Sequence, residues 1–386
     1  MKIFFDVTLQ PLTGIHIGTG NSMTPMEYLI DVVNGKNRYI TYSSESILDR
    51  VVSDPKLLTE YEKACNDSSM VMLHHFFERN FSIRKDLAYI CDITKSFYQE
   101  YEMKSKKNPL DSTCDVFQMY RPLGKKAAVI PGSSLKGSIR TAMLNLVMHE
   151  WDDSSFYDSL YDRFTDAKER NDTRKASYVE KDVQKKIMGK DPKNDLFRTL
   201  SIGDAQFSPK GSQLVGKVIN IVTQEYDHTL QAKGIPMYAE VLRGTLMDSE
   251  TTGSSRFSID RDLQEILFRN NRYGSMKSII QACNYFFKRE FVREATKFYD
   301  GVDDPRLGLY GELRSMIEQV PSDSEDTFLV RVGRWSQVEF VTLEPMYRLP
   351  KVPRDQGHGN TRMVFDYDGQ LLPLGWCLCT VKELKQ

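Results

Sequence analysis

The sequence predicts an α+β fold, a sheet core that carries helical inserts. Three observations predict it. Runs rich in Val, Ile, Phe and Tyr with period-two alternation sit at both ends of the chain and in its middle. Between them lie long stretches whose apolar residues recur every three or four positions. The two kinds do not alternate strand by helix, as a doubly wound parallel sheet would require. A length of 386 residues suggests two or three domain-sized units, and 40% hydrophobic residues supply a sizeable core.

In chain order, the first strand is KIFFDVTLQ, residues 2–10, which stops at Pro11 and a glycine-spaced turn at Gly14, Gly18 and Gly20. YLIDVVNGKNRYITY follows as a hairpin, because Asn34-Gly35 supplies the positive φ angles of a two-residue type I′ turn. From Ser43 to Asn80 the spacing turns helical, with Ser44 as N-cap. Residues 150–195 hold 12 acidic and 10 basic side chains in 46 positions, the pattern of a solvated helical insert or a mobile loop. Strand runs resume at LFRTLSIGDAQF, GKVINIVTQEY and MYAEVLRGTLM, helix is expected over 260–318, and strands close the chain at TFLVRVGRWSQVEFVTL and LLPLGWCLCTV. The sheet core is therefore expected as one discontinuous unit from 1–42, 113–149, 196–250 and 325–386. In this reading 43–112 is a helical insert, 150–195 a charged insert and 251–324 a helical segment.

Charge excludes a global mode of nucleic-acid binding. Lysine and arginine number 52 against 53 acidic residues, a net charge of −1, so any polyanion site must be local. The N-terminal segment lacks the apolar core of a signal peptide and no window reaches the ~18 apolar residues of a membrane span. A cytoplasmic protein without a membrane partner is expected. The six cysteines, at 65, 91, 114, 283, 377 and 379, form no CxxC pair, which argues against a disulfide framework or a zinc ribbon. Cys377 and Cys379, two apart in an apolar run, read as buried strand residues. Neither a fixed-period repeat nor a low-complexity tract is present.

One stretch departs from the neutral average. Residues 116–149 contain no Asp or Glu but carry Arg121, Lys125, Lys126, Lys136 and Arg140. Within it the short strand AAVI stops at Pro131-Gly132, and Ser133-Ser134 are expected to open a helix whose apolar face is Leu135, Ile139, Met143, Leu144 and Val147. A helix start offers free N–H groups and the positive end of the dipole, and Lys136 and Arg140, four apart, share a face next to it. The junction suits a phosphate; equally, it is a serine-capped helix with two solvated bases. GSSLKGS places its lysine before the second glycine, unlike a Walker A loop, so no nucleotide triphosphatase is expected.

These residues carry a family likeness. PLTGIHIGTG and IPGSSLKGSIRTAM resemble the paired motifs of the RAMP proteins of CRISPR-Cas effector complexes, the second at every defining position from Ile130 to Arg140. LSIGDAQF, RLGLYGELRSMI and LPLGW are secondary matches, so the likeness runs as islands from Pro11 to Trp376. It is greatest to the type III-A (Csm) subunit that ends the backbone filament at the 3′ end of the guide RNA. The resemblance implies an RRM-like (ferredoxin-like) core with helical insertions, with a second, degenerate ferredoxin-like unit left open. It also implies a noncatalytic subunit that binds the guide RNA backbone, caps the filament and supports guide maturation. The implied partners are guide RNA, the neighbouring type III-A backbone and small subunits, trimming host nucleases and, indirectly, target RNA; no cofactor is implied.

Carried onto this chain, the RNA-facing positions are Gly14, His16 and Gly18 in the glycine turn, Lys125 and Lys126 before the strand, and Ser133, Ser134, Lys136 and Arg140 at the helix start. In VRVGRWSQ, Arg331, Gly333 and Arg334 would form another backbone-contacting loop. Trp335 beside them would either stack on an unpaired base or fill the core. The aromatic run of RRM domains that bind RNA through the sheet face has no counterpart here, so sheet-face stacking is not expected. A metal-dependent endoribonuclease of the same superfamily is the alternative, and would need an acid beside the RNA; the loop from Gly20 to Tyr28 offers only Glu27, and Asp31 lies in the hairpin. Asp204 in SIGDAQF reads as a residue that holds a turn or caps a neighbour. A scaffold that recruits nucleases through 150–195 is the third reading. His74 and His75, adjacent on a helix, read as surface or flank residues.

Overall fold

A computed structural model describes all residues except 68–69, 151–153, 171, 192, 224–228, 268–271, 344–358 and 386. Alternation of Phe5, Val7 and Leu9 inward makes β1 (Lys2–Pro11) a half-buried strand, and it is followed by β2 (Gly18–Met23). The hairpin β3 (Tyr28–Val33) and β4 (Lys36–Tyr42) turns through Asn34 and Gly35 at φ 53° and 73°, as its dipeptide predicts. Helices α1 (Ser44–Ser53), α2 (Pro55–Asn66) and α3 (Met70–Asn80) come next, with Ser43 rather than Ser44 as the cap of α1. Then come β5 (Leu87–Ile93), α4 (Lys95–Met103), β6 (Val116–Met119), β7 (Val129–Ile130) and the long helix α5 (Gly132–Glu150). The charged segment forms α6 (Ser154–Glu169) and α7 (Thr173–Met188).

Strands β8 (Leu200–Ile202), β9 (Ala205–Phe207), β10 (Gln213–Thr223), β11 (Leu230–Ala232), β12 (Met237–Leu242) and β13 (Gly253–Asp260) follow. Helices α8 (Arg261–Leu267), α9 (Met276–Phe298) and α10 (Gly308–Gln319) lead to β14 (Thr327–Arg331), β15 (Arg362–Tyr367), β16 (Gln370–Pro373) and β17 (Trp376–Glu383).

The strands form two sheets. The first is antiparallel, in the order β14-β17-β1-β13-β9-β7 with β8 also on β13, so the two ends of the chain meet beside β1. Its outer face shows Asp6, Thr8, Ser254, Arg256 and Thr380 to solvent, a mostly polar surface on which Phe4 is the half-buried aromatic of β1. The second runs β2-β6-β12-β10-β5-β4-β3 and includes two parallel pairs, β6 with β12 and β5 with β10. The α+β class and the ferredoxin-like core with helical insertions expected from the sequence are what the chain adopts. One apolar cluster joins α5, α9 and α10 to the inner faces of the sheets, and an aromatic cluster of Tyr28, Tyr39, Tyr89, Phe97, Tyr101 and Tyr238 fills the second sheet's far side.

The structure differs from the sequence reading at several elements. Gly18–Met23, expected as turn, is an exposed edge strand held by β6. Strands β5 and β13 fall inside the stretches read as helical. The serine-rich GSSRFSID has little hydrophobicity of its own and is a strand because it pairs with β1 over eight residues. After Arg331 the chain leaves the sheet, although 327–343 reads as one strand run. Helices α6 and α7 settle the choice for the charged insert: Leu160, Phe164, Val179 and Val183 enter the main core, so its described part is a docked hairpin, not a mobile loop. Cys377 and Cys379 are buried in β17. His74 is buried, against expectation, with its ring bonded to the Met26 carbonyl at 3.3 Å, while His75 is exposed. His228 and His358 lie outside the described residues.

Candidate nucleic-acid interface

The start of α5 is built by close packing. A Cβ on Gly132 would lie 2.1 Å from the Ile202 carbonyl oxygen, so only glycine lets the helix begin against β8. Its N–H donates to Asp204 Oδ1 at 2.8 Å, and the N–H groups of Ser134 and Leu135 donate to the Pro131 carbonyl at 2.9 and 3.3 Å. Pro131, not a serine, thus occupies the capping position, and Asp204 caps a neighbour as expected. The anion hole anticipated at this helix start is already largely occupied by the chain's own acceptors. Ser133 is exposed and Ser134 half-exposed within the first turn.

From there α5 runs along an open groove of about 690 Å³. Its walls are Gly18 and Gly20 from β2, Ser133, Ser134, Gly137 and Thr141 from α5, and Arg331, Val332, Gly333, Arg334 and Ser336. Three segments far apart in sequence therefore meet at one surface. Among the described residues, and apart from chain neighbours and the helix's own backbone, nothing lies within 4 Å of where a Cβ on Gly20 or Gly137 would stand. Gly137 lies inside a helix, where glycine costs about 0.5–1 kcal/mol relative to alanine, and nothing in the chain requires it.

The 331–336 loop is strained. Gly333 at φ 96° is required, since a Cβ would sit 2.5 Å from the His16 carbonyl oxygen, which also accepts the Arg334 N–H at 2.8 Å. Trp335 and Gln337 adopt φ 67° and 70°, conformations that side chains rarely take and that collect at functional sites. The Trp335 ring stacks on His16, 4.8 Å between centroids, and meets Phe117 edge-on at 6.1 Å. Trp335 is thus half-buried in protein. The exposed Arg334 lies 4.4 Å above Phe117 and 5.1 Å above Trp335, with no carboxylate partner among the described residues.

His16 is fully buried. Its Nδ1–H donates to the Glu240 carbonyl at 2.7 Å, which leaves Nε2 as a buried acceptor without a partner among the described residues. Burial chiefly, with the positive charges of Arg334 and Arg121 adding, pushes it down to about 4 against the opposing pull of that carbonyl. It is neutral at physiological pH and props the 331–336 loop from beneath.

Several expected RNA-facing residues turn inward. Gly14 is buried between Leu374 and Val241, each 3.3 Å from its would-be Cβ. Arg331 is buried and pairs with Glu294 at 2.8 Å, in a network completed by Arg362 and Glu339, so its charge belongs to the core. Lys136 and Arg140 do share a face, but that face packs on 195–200: Lys136 Nζ donates to the Leu200 carbonyl at 2.7 Å and Arg140 pairs with Asp195 at 2.9 Å. Burial lowers the Lys136 pKa. Arg121 is likewise held, by Glu240 at 2.6 Å and over the Tyr89 ring. Lys125 and Lys126 are exposed in a turn outside the groove lining. Glu27 closes its own turn on Thr24 at 2.8 and 2.9 Å, and Asp31 accepts from the neighbouring Val32 N–H at 2.6 Å.

Thr141 and Ser336 line the groove without having been singled out in the sequence, whereas Gly20 belongs to the glycine-spaced turn and Gly137 to the second motif. Its place in the motif and its place in mid-helix both mark Gly137; Thr141 and Ser336 carry no such signal.

Comparison with known proteins follows the same lines. No curated protein sequence matches the chain. Among solved structures, the fold matches a chain of a Csm–crRNA–target RNA ternary complex of a type III-A CRISPR-Cas system, with 16% identity, 98% of this chain and 100% of that one covered, and a TM-score of 0.61. It matches Csm5 of T. onnurineus with 16% identity, coverage of 96% and 99%, and a TM-score of 0.60. The family model of the RAMP superfamily matches residues 8–335, the span that holds both glycine motifs and the Arg334 loop, and the chain belongs to that superfamily.

Proposed function

We propose that the protein is a noncatalytic, guide-RNA-binding subunit of a type III-A interference complex, which contacts the guide backbone near its 3′ end, caps the filament and supports guide maturation. The observation that carries the reading is the meeting of Gly18, Ser133, Ser134, Gly137, Gly333 and Arg334 on one groove. Open space at Gly137 and Gly20 admits a sugar-phosphate chain at close range, the serine hydroxyls can donate to phosphate oxygens, and Arg334 supplies an exposed charge with no carboxylate partner among the described residues. Such contacts fix position without reading sequence, which suits a guide whose bases vary. Superfamily membership and the fold likeness to a chain of a Csm–crRNA complex support it. The partners in this reading are the guide RNA and neighbouring type III-A subunits, in a cytoplasmic assembly, and trimming nucleases docking on the exposed side of α6 and α7.

The endoribonuclease alternative gains nothing, because Glu27 is engaged in its own turn and Asp31 with its own strand. Purification of tagged protein from its host under mild salt, with both ends of the bound RNA sequenced, tests the proposal. RNAs with a fixed 5′ end and staggered 3′ ends, together with other complex subunits, are expected. Protein that emerges alone and free of RNA contradicts it.

A further inference from the structure

A second groove, of about 460 Å³, opens on the ten-stranded sheet where the start of β4, the end of β5 and the residue after β12 come level. Register explains the meeting: Arg38 stands opposite Asp92, Asp92 opposite Leu214, and Gln213 opposite Leu242, which Arg243 follows. Asp92 holds both arginines, Arg243 at 2.9 Å and Arg38 in direct contact. Arg243 is braced further by the Tyr367 hydroxyl at 3.1 Å and by the Met247 carbonyl, which accepts from its Nε, whereas Arg38 has no other hydrogen-bond partner among the described residues. Both side chains are largely covered, 21% and 17% exposed.

The lining carries four cations, Lys36, Arg38, Lys95 and Arg243, against two acids, Asp92 and Asp368. Asp368 is occupied with the first N–H of α4, at 2.6 Å. Lys36 and Lys95 are exposed at the mouth without ion pairs among the described residues. Two half-desolvated guanidiniums beside one carboxylate repel each other, and burial together with Arg243 depresses the Arg38 pKa. Arg38, whose one partner among the described residues is Asp92, therefore keeps donors that an anion in the groove can complete. The half-buried ring of Tyr98 and that of Tyr367 lie in the same lining, where a planar base can rest.

We propose that this groove binds the phosphate of a nucleotide, with Arg38 and Arg243 as a preset fork, Lys36 and Lys95 at the entrance and the tyrosines against the base. The fork geometry suits a phosphate's planar pair of oxygens. The nucleotide is either free or one unit of an RNA strand; the site is separate from the first groove and stands whether or not that groove binds RNA.

The test uses the full chain, with 5′-AMP and a fluorescein-labelled oligouridylate of about ten nucleotides as probes. Both are titrated into the wild type and into K36E/K95E, which alters only exposed side chains, with thermal unfolding as the check on folding. The wild type should bind at least one probe, and the double variant should bind it about tenfold or more weakly, the effect of losing charge-assisted contacts. If 5′-AMP displaces the oligonucleotide, the site takes a nucleotide of a strand; if 5′-AMP binds without displacing it, the site takes the free nucleotide. Equal affinity of both proteins for both probes, or no binding of either probe to the wild type, overturns the proposal.

Discussion

Gly137 and Gly333 both line the first groove, yet physical chemistry separates them. Gly333 is demanded by the chain itself, through its φ of 96° and the His16 carbonyl 2.5 Å from a would-be Cβ, so Gly333→Ala should cost about 1–3 kcal/mol and lower the melting temperature. Gly137 is demanded by nothing in the chain, so Gly137→Ala should stabilise by about 0.5–1 kcal/mol in the same measurement. His16 gives a third residue-scale expectation. Its folded pKa of about 4 lies below the unfolded 6.5, so the unfolded state binds the extra proton, and stability present above pH 6.5 is lost as pH falls toward 4. The difference is on the order of 3 kcal/mol, and His16→Gln should remove that part of the pH dependence of denaturant unfolding. None of this was legible at the level of residue type, because a glycine in a motif looks the same whether a ligand or a carbonyl oxygen explains it.

At the scale of elements, α5 shows how far a motif can be read. Its strand-loop-helix form, its apolar face and the shared face of Lys136 and Arg140 were all legible from spacing. What that shared face meets was not, because Asp195 and Leu200 come from beyond a helical hairpin and only the fold brings them back. Arg140→Ala should therefore leave RNA affinity and its salt dependence unchanged and cost no more than about 1 kcal/mol, as for a partly exposed pair. Arg334→Ala should do the reverse, leaving stability intact while flattening the slope of log affinity against log salt by about one phosphate contact. The hairpin β3–β4 was readable from Asn34-Gly35 alone. Strands β2 and β13 were not, because Gly18–Met23 and GSSRFSID owe their pairing to partners remote in sequence.

Across the whole molecule, the inserts are part of the core more than the sequence suggests. The α6–α7 hairpin buries Leu160, Phe164, Val179 and Val183 in the main cluster, each worth about 1.5–3 kcal/mol when fully buried. Deletion of 150–195 should thus lower the melting temperature markedly or prevent folding, where a solvated appendage would leave it unchanged. The buried network of Arg331, Glu294, Arg362 and Glu339 ties the strand that ends at the groove to α9 and to β15. The fold class and the convergence of the motifs were legible because both depend on patterns along the chain. The fate of individual charges was not, because it depends on what the tertiary fold sets beside them. The most direct measurement is the affinity of the assembled protein for single-stranded RNA as a function of salt, for the wild type, Gly137→Leu and Arg334→Ala, with melting temperatures alongside. The account predicts that both variants fold as stably as the wild type and bind RNA more weakly, whatever its sequence. Undiminished RNA binding by two stably folded variants would contradict it.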